Sequence, residues 1–236
     1  MEYILFKADE RGFSEYGGWL KSYFSFSFAN WYSPKKMGFG TLRVLNDDEI
    51  KALNGFDMHF HKNMEIISIV LEGQLNHKDS MDNEKIILKN EIQRMSAGKG
   101  VYHSEYNLDP NTSYLGFQIW ILPKKLDIEA SYEQKFFEET KRKNKFQLVV
   151  SPDARSNSIS INQDAFISLI DLDENKKIKY NKYLEENLVY IMNISGEIEI
   201  SNIKIFKKDA IGILNGDIEI SSTTKSKILI LEIPKK

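Results

Sequence analysis

Cysteine is absent from the 236 residues of this chain. Without a thiol the protein cannot form disulfides, iron–sulfur clusters or thiolate zinc sites, and it cannot use a cysteine nucleophile. An excess of positive charge is absent too, since 32 Lys and Arg residues face 34 Asp and Glu residues, for a net charge of −2. Proteins that bind the phosphates of nucleic acids are usually basic, so we expect no direct nucleic-acid binding.

Long apolar runs are also missing. A membrane-spanning helix needs about 18 or more consecutive apolar residues, and the sequence holds no such stretch. The first residues, Met1–Lys7, have neither the basic start nor the long apolar centre of a secretory signal. We therefore expect a soluble, cytoplasmic protein that does not bind membranes.

Short apolar runs rich in β-branched residues dominate what is present. Examples are Ile66–Leu71, Leu188–Ile194 and Ile228–Ile233, and turn residues such as Gly73 and Gly196 separate the runs. Many short strands at this spacing are typical of β-sandwiches and β-barrels. The composition and the pattern together predict an all-β protein.

A weak internal repeat divides these runs into two sets. Residues 69–75 and 86–90 follow the same order as residues 191–198 and 203–209: a strand, a glycine turn, a second strand, an apolar strand and a polar step. A duplicated barrel explains this order. We therefore expect two tandem jelly-roll-like β-barrels.

Helical spacing occurs between the two sets. Tyr132, Phe136 and Phe137 fall at positions that predict a short helix over residues 132–143, and the basic cluster Lys141–Lys145 closes it as a solvated end. The expected organisation is thus an N-terminal domain of residues 1–130, a linker helix within residues 131–145 and a C-terminal domain of residues 146–236.

All four histidines of the chain, His59, His61, His77 and His103, lie in the first half. Side chains two apart on a strand point to the same face, so His59 and His61 can reach one point, and so can His103 and Glu105. On neighbouring strands these pairs would bring together three imidazoles and one carboxylate, a set that suits a divalent transition metal. Four protein ligands on a six-coordinate ion leave two adjacent positions for a chelating substrate, or for a substrate and dioxygen.

The segments that carry these residues resemble the pirin family of the cupin superfamily. The similar stretches are Gly55–Ile66, with His-Phe-His at its centre, then Val70–Gly73, His77–Ser80 and Gln93–Glu105. The resemblance extends over about residues 11–140, and the second half is similar to the family's second cupin domain in pattern only. It implies a bicupin with one metal in the N-terminal barrel, held by His59, His61, His103 and Glu105, and no metal ligands in the C-terminal barrel.

The resemblance also implies a function. Bacterial pirins are similar to quercetin 2,3-dioxygenases, which would make this chain a metal-dependent dioxygenase that cleaves a flavonol-like chelating substrate with O2 and uses Glu105 as the catalytic base. The implied metal is iron, with Zn, Ni, Mn, Co and Cu as alternatives. A second hypothesis, from the eukaryotic pirins, is a metal- or redox-responsive interaction module with a protein partner and no turnover.

Three residues leave alternatives open. Phe60 replaces the proline that usually separates the first two ligands, and we expect ligation to survive because residue 60 points to the opposite strand face. Glu65 follows His61 by four residues, the spacing of the carboxylate ligand in many other cupins, and is an alternate ligand or a residue that orients one. His77 with Asp79 is expected to be a structural or surface strand pair.

Overall fold

Twenty-two β-strands and three short 3₁₀ helices make up the chain in the computed structural model, which describes residues 1–236. The strands of the first half are β1 (Glu2–Phe6), β2 (Gly12–Tyr16), β3 (Leu20–Phe24), β4 (Leu42–Ile50), β5 (Asn54–His61), β6 (Glu65–Glu72), β7 (Gln74–Asp79), β8 (Glu84–Leu88), β9 (Glu91–Ser96), β10 (Val101–Asn107), β11 (Tyr114–Ile121) and β12 (Ser131–Phe136). Those of the second half are β13 (Gln147–Ser151), β14 (Ile159–Ser160), β15 (Phe166–Leu172), β16 (Lys177–Tyr180), β17 (Leu188–Ser195), β18 (Ile198–Ile200), β19 (Ile203–Ile205), β20 (Ala210–Asn215), β21 (Ile218–Ser222) and β22 (Ser226–Ile233). The 3₁₀ helices are Ala8–Glu10, Glu139–Arg142 and Arg155–Asn157. None of the helices has the length and apolar character needed to cross a membrane.

Each half consists of a seven-stranded and a four-stranded sheet. In the first half the strand orders are β12-β9-β6-β11-β4-β3-β2 and β5-β10-β7-β8. In the second half they are β1-β20-β17-β22-β15-β13-β14 and β16-β21-β18-β19. The repeated arrangement confirms the all-β prediction of two jelly-roll-like units.

The helix predicted over residues 132–143 is wrong. Residues Ser131–Phe136 form β12, which pairs antiparallel with β9, and only one 3₁₀ turn, Glu139–Arg142, follows it. The spacing of four between Tyr132 and Phe136 is an even number, so it fits strand alternation as well as a helical turn. Residues 131–136 adopt the strand rather than the helix because they pair with the edge of β9.

Two strands cross the expected domain borders. β1 lies at the edge of the seven-stranded sheet of the second half, where it pairs with β20, although its residues begin the chain. β12 lies in the sheet of the first half, although its residues were expected in the linker. The two units therefore differ from a simple division at residues 130 and 146.

The two seven-stranded sheets pack against each other through a shared apolar core. A cluster of 27 buried residues draws members from both halves, among them Ile67 and Phe117 from the first and Tyr190 and Leu231 from the second. In β6 the odd-numbered residues Ile67 and Ile69 face this shared core, whereas Ile66 and Val70 pack inside the first barrel. Burial of this extent drives the two units to associate.

The interiors of the two barrels differ. The second barrel is filled by a cluster of 14 buried residues, 11 of them isoleucine, whereas the apolar clusters inside the first contain only five and four. By sheet order β16 and β21 correspond to β5 and β10, and there Tyr180 lies opposite Ile218 and Ile178 opposite Ile220. The second barrel thus presents no metal-ligating side chains at these positions.

Candidate metal centre

Strands β5 and β10 bring three histidines together inside the first barrel. His103 lies directly opposite His59 in the antiparallel register, and His61 is two residues further along β5. The ring centroids of His59 and His103 are 4.4 Å apart, and each lies 4.8 Å from the centroid of His61. One ligand nitrogen from each ring lies within 4.8 Å of the others, so the three imidazoles could hold one ion.

His103 is the most deeply buried of the three. Its side chain is inaccessible to solvent, and neither ring nitrogen has a hydrogen-bond partner. Burial, together with the neighbouring His59, lowers the pKa of His103 to about 3, and burial with His103 lowers the pKa of His61 to about 4. Both rings are therefore neutral at physiological pH, the form that binds metals, and the two unpartnered nitrogens of His103 fit a metal-binding role.

The orientation of His59 is fixed by the backbone. Its Nδ1 lies 2.7 Å from the carbonyl oxygen of Asp57. A carbonyl oxygen can only accept a hydrogen bond, so in the neutral ring Nδ1 carries the proton and Nε2 has the free lone pair. This contact presents Nε2 as the ligand atom, in the way that metal-binding imidazoles are commonly oriented.

Glu105 lies at the same interior, past an irregularity in the β5–β10 register that follows His103. It is not part of the three-histidine group but belongs with His77 and His103 to a second group whose ligand atoms lie within 4.8 Å of one another. Gln118 Nε2 donates to Glu105 Oε2 at 2.7 Å, and Trp120 Nε1 in turn donates to the Oε1 atom of Gln118 at 3.1 Å. Sequence reasoning missed this chain of donors, although Gln118 and Trp120 share strand parity on β11.

His77 is buried in the barrel rather than placed on its surface. Its Nε2 lies 2.9 Å from Asp79 Oδ2, and its ring centroid lies 5.3 Å from that of His103. Asp79 also accepts hydrogen bonds from the backbone and side-chain nitrogens of Asn83. The pair forms a polar wall inside the barrel, next to His103. The sequence signal for its burial was strand parity, because His77 and Asp79 share their face of β7 with the buried Leu75.

The structure does not bring Glu65 to the histidines. Its carboxylate accepts hydrogen bonds from Ser96 Oγ at 2.7 Å and from the backbone nitrogen of Asn162, in the second unit, at 3.2 Å. Glu65 belongs to neither group of converging ligand atoms. The alternation of side chains along β5 does not continue to Glu65, because a turn separates β5 from β6. Glu65 lies on the same face of β6 as Ile67, which is directed away from the interior of the first barrel and toward the second unit.

A pocket of about 530 Å³ opens beside His59, His61 and Glu105. Six aromatic side chains line it: Tyr16, Trp19, Phe24, Phe28, Phe56 and Trp120. The Trp120 ring lies 4.9 Å from the ring of His61, which joins the aromatic wall to the histidines. A pocket of this size and character suits a planar organic ligand.

Phe60 lies outside this pocket. It is half exposed on the outer face of β5 and packs against Tyr102, with ring centroids 5.0 Å apart. The side chain that replaces the usual proline therefore points away from the histidines.

Comparison with known proteins places this geometry in a family. A family model described as Pirin matches residues 7–121. The chain is also 40% identical over 229 residues to the quercetin 2,3-dioxygenase of Escherichia coli (strain K12), with 97% of each protein covered. The chain belongs to the pirin family. A further model, the quercetinase C-terminal cupin domain, matches residues 148–233 of this pirin.

Solved structures agree with the assignment. The bacterial pirin YhhW from Escherichia coli in complex with nickel(II) superposes on this pirin with a TM-score of 0.94 at 38% identity, covering 100% of both chains. A quercetin 2,3-dioxygenase from Acinetobacter baumannii shares the fold, with a TM-score of 0.74 at 16% identity over 99% of this chain and 79% of its own. The residues of the first barrel offer a site for a divalent metal.

Proposed function

We propose that this pirin is a metal-dependent dioxygenase that cleaves a flavonol of the quercetin type with dioxygen. The proposed metal ligands are His59, His61, His103 and Glu105, with iron as the first candidate metal. The observation that carries the proposal is the convergence of three imidazoles within 4.8 Å of one another beside an aromatic-walled pocket of about 530 Å³. The activity in the names of its relatives supports the substrate class.

The donor set fits a divalent transition metal. Three imidazole nitrogens and one carboxylate oxygen suit Fe, Ni, Co, Mn, Zn or Cu, and the buried nitrogens of His103 have no hydrogen-bond partner in the protein. A bound metal would supply Lewis acidity to the chelating hydroxyl and keto oxygens of a flavonol, which makes the hydroxyl easier to deprotonate.

Glu105 is the proposed base for that proton. It is buried beside His103, and Gln118 holds one of its oxygens at 2.7 Å while Ser68 Oγ lies 3.4 Å from the other. These donors fix the carboxylate plane, so the proton acceptor has a defined position relative to the pocket. Trp120, which holds Gln118, also forms part of the wall against which a planar ring can stack.

Aromatic side chains pack against one another along the walls of the pocket. Trp19 and Phe56 pack edge to face with centroids 5.5 Å apart, and Phe28 packs edge to face on Trp120 at 5.3 Å. Rigid apolar walls of this kind orient a planar substrate with little loss of side-chain entropy.

The test is reconstitution of the purified protein with Fe, Mn, Ni or Co, one metal at a time. Loss of quercetin absorbance and uptake of dioxygen are followed together. We expect equimolar consumption of quercetin and dioxygen with at least one metal. Metal-loaded protein that consumes neither with any of the four metals would refute the dioxygenase and leave the interaction-module hypothesis in its place.

A matched pair of variants ties the activity to the site. His59→Ala removes a proposed ligand, and Phe60→Ala removes the adjacent side chain on the opposite face of the same strand. We expect His59→Ala to lose both metal and turnover and Phe60→Ala to keep both. Equal activity of the two variants would show that the histidines do not carry the reaction.

A further inference from the structure

The pocket has a polar patch on the sheet that faces the histidine strands. Asn46 and Asp48 lie two apart on β4, line the pocket, and are only 2% and 8% exposed. In register, Asn46 lies opposite Gln118, and Asp48 lies opposite Gly116, which has no side chain. The patch therefore lies on the strand next to β11, which carries Gln118, the residue that donates to Glu105.

Asp48 is a buried carboxyl group without a cationic partner. Its one hydrogen-bond donor is Ser22 Oγ, on the neighbouring strand β3, which contacts Oδ1. The nearby cations Arg11 and Lys208 bind Asp47, on the opposite face of β4. A buried carboxyl group normally accepts several hydrogen bonds, but Asp48 accepts only the one from Ser22. Its Oδ2 atom is therefore available to a ligand.

Asn46 makes no side-chain hydrogen bond within the protein, and its Oδ1 is buried without a partner. The amide of Gln118 across the strand cannot serve it, because that amide is bound to Glu105 and Trp120. The patch thus offers an amide and a carboxyl group, both facing the same pocket and both short of partners. A buried amide in this state indicates a ligand that completes its hydrogen bonds.

We propose that Asn46 and Asp48 bind ring hydroxyl groups of the substrate that do not take part in metal chelation. One hydroxyl donates to Asn46 Oδ1 and a second donates to Asp48 Oδ2, so each acceptor gains the donor that the protein does not supply. A cationic ligand group is less suited, because the metal centre of the same pocket would repel it. This inference rests on the proposed function and specifies its substrate class: polyhydroxylated flavonols in preference to flavonols that carry only the chelating hydroxyl.

The test compares two ligands that share the chelating hydroxyl and keto groups. Quercetin carries additional ring hydroxyls, and 3-hydroxyflavone carries none. Dissociation constants for the metal-loaded protein are measured without dioxygen by quenching of Trp fluorescence, since Trp19 and Trp120 line the pocket. We expect Asp48→Asn to weaken quercetin binding roughly tenfold, the loss of one hydrogen bond, and to leave 3-hydroxyflavone binding unchanged.

Two further variants make the result decisive. Asn46→Ala should reproduce the selective loss, and Asp47→Asn, on the opposite face of the strand, should change neither affinity. Equal weakening of both ligands, or of neither, in Asp48→Asn and Asn46→Ala would overturn the inference. That outcome is distinct from failure of the proposed function, in which the unmodified protein binds neither flavonol or binds them without turnover when dioxygen is supplied.

Discussion

The buried carboxyl group of Asp48 should make the stability of the metal-free protein depend on pH. Burial, with smaller contributions from Asp47 and Glu105, raises the pKa of Asp48 from 3.8 to about 7 in the folded protein. Between these values the folded protein keeps a proton that the unfolded chain releases, so the free energy of unfolding falls as the pH rises. At about 1.4 kcal/mol for each tenfold change, the full effect is about 4 kcal/mol, of which about 3 kcal/mol develops between pH 5 and pH 8.

Asp48→Asn removes this dependence, because the amide does not titrate and can still accept the Ser22 hydrogen bond through Oδ1. Relative to the unmodified protein, the variant should gain about 3 kcal/mol on going from pH 5 to pH 8, or roughly 6 °C in Tm for a chain of this size. Thermal unfolding of the metal-free proteins, followed by circular dichroism at the two pH values, measures the difference.

Asp47→Asn is the contrasting control. Asp47 pairs with Arg11 at 3.1 Å and Lys208 at 2.8 Å, so its replacement should lower Tm at both pH values. If the Tm difference between Asp48→Asn and the unmodified protein is the same at pH 5 and pH 8, the argument from burial is refuted.

Three further outcomes follow from the metal centre. His103→Ala should abolish stoichiometric metal binding while Glu65→Gln retains it, as metal analysis after dialysis would show; metal loss from Glu65→Gln would return that residue to the ligand set. Gln118→Leu should reduce kcat for quercetin roughly tenfold at unchanged metal content, because Glu105 loses its 2.7 Å donor, and an unchanged kcat would dismiss the positioning role. The imidazoles of His61 and His103 should stay neutral in the metal-free protein as the pH falls to about 5, since their pKa values are lowered to about 4 and about 3; NMR titration of the ring signals measures this, and protonation of either ring between pH 7 and pH 6 would contradict the effect of burial.

Strand parity predicted which candidate side chains would converge in the first barrel. The two-residue spacing of His59 and His61, and of His103 and Glu105, depends only on the alternation of side chains along a strand, and each pair does face the barrel interior. The confinement of histidine to the first half likewise matched the packed isoleucine interior of the second barrel. These features are local, so the sequence carries them directly.

The errors arose where the outcome depended on tertiary contacts. Parity could not be extended from His61 to Glu65, because the intervening turn places Glu65 on the outer face of β6, against Ser96 and Asn162. The helix expected over residues 132–143 did not form, because residues 131–136 pair with β9 as a strand instead. The support of Glu105 by Gln118 depends on which strands become neighbours, which no local pattern states.

The placement of β1 has a consequence for how the molecule is made. Residues Glu2–Phe6 are synthesised well before their partner strand, Ala210–Asn215. β1 cannot pair until β20 has been made, and until β1 docks the edge of β20 remains open to other strands. The larger sheet of the second half is complete only when β1 has docked on it, so the second half is not a self-contained length of chain.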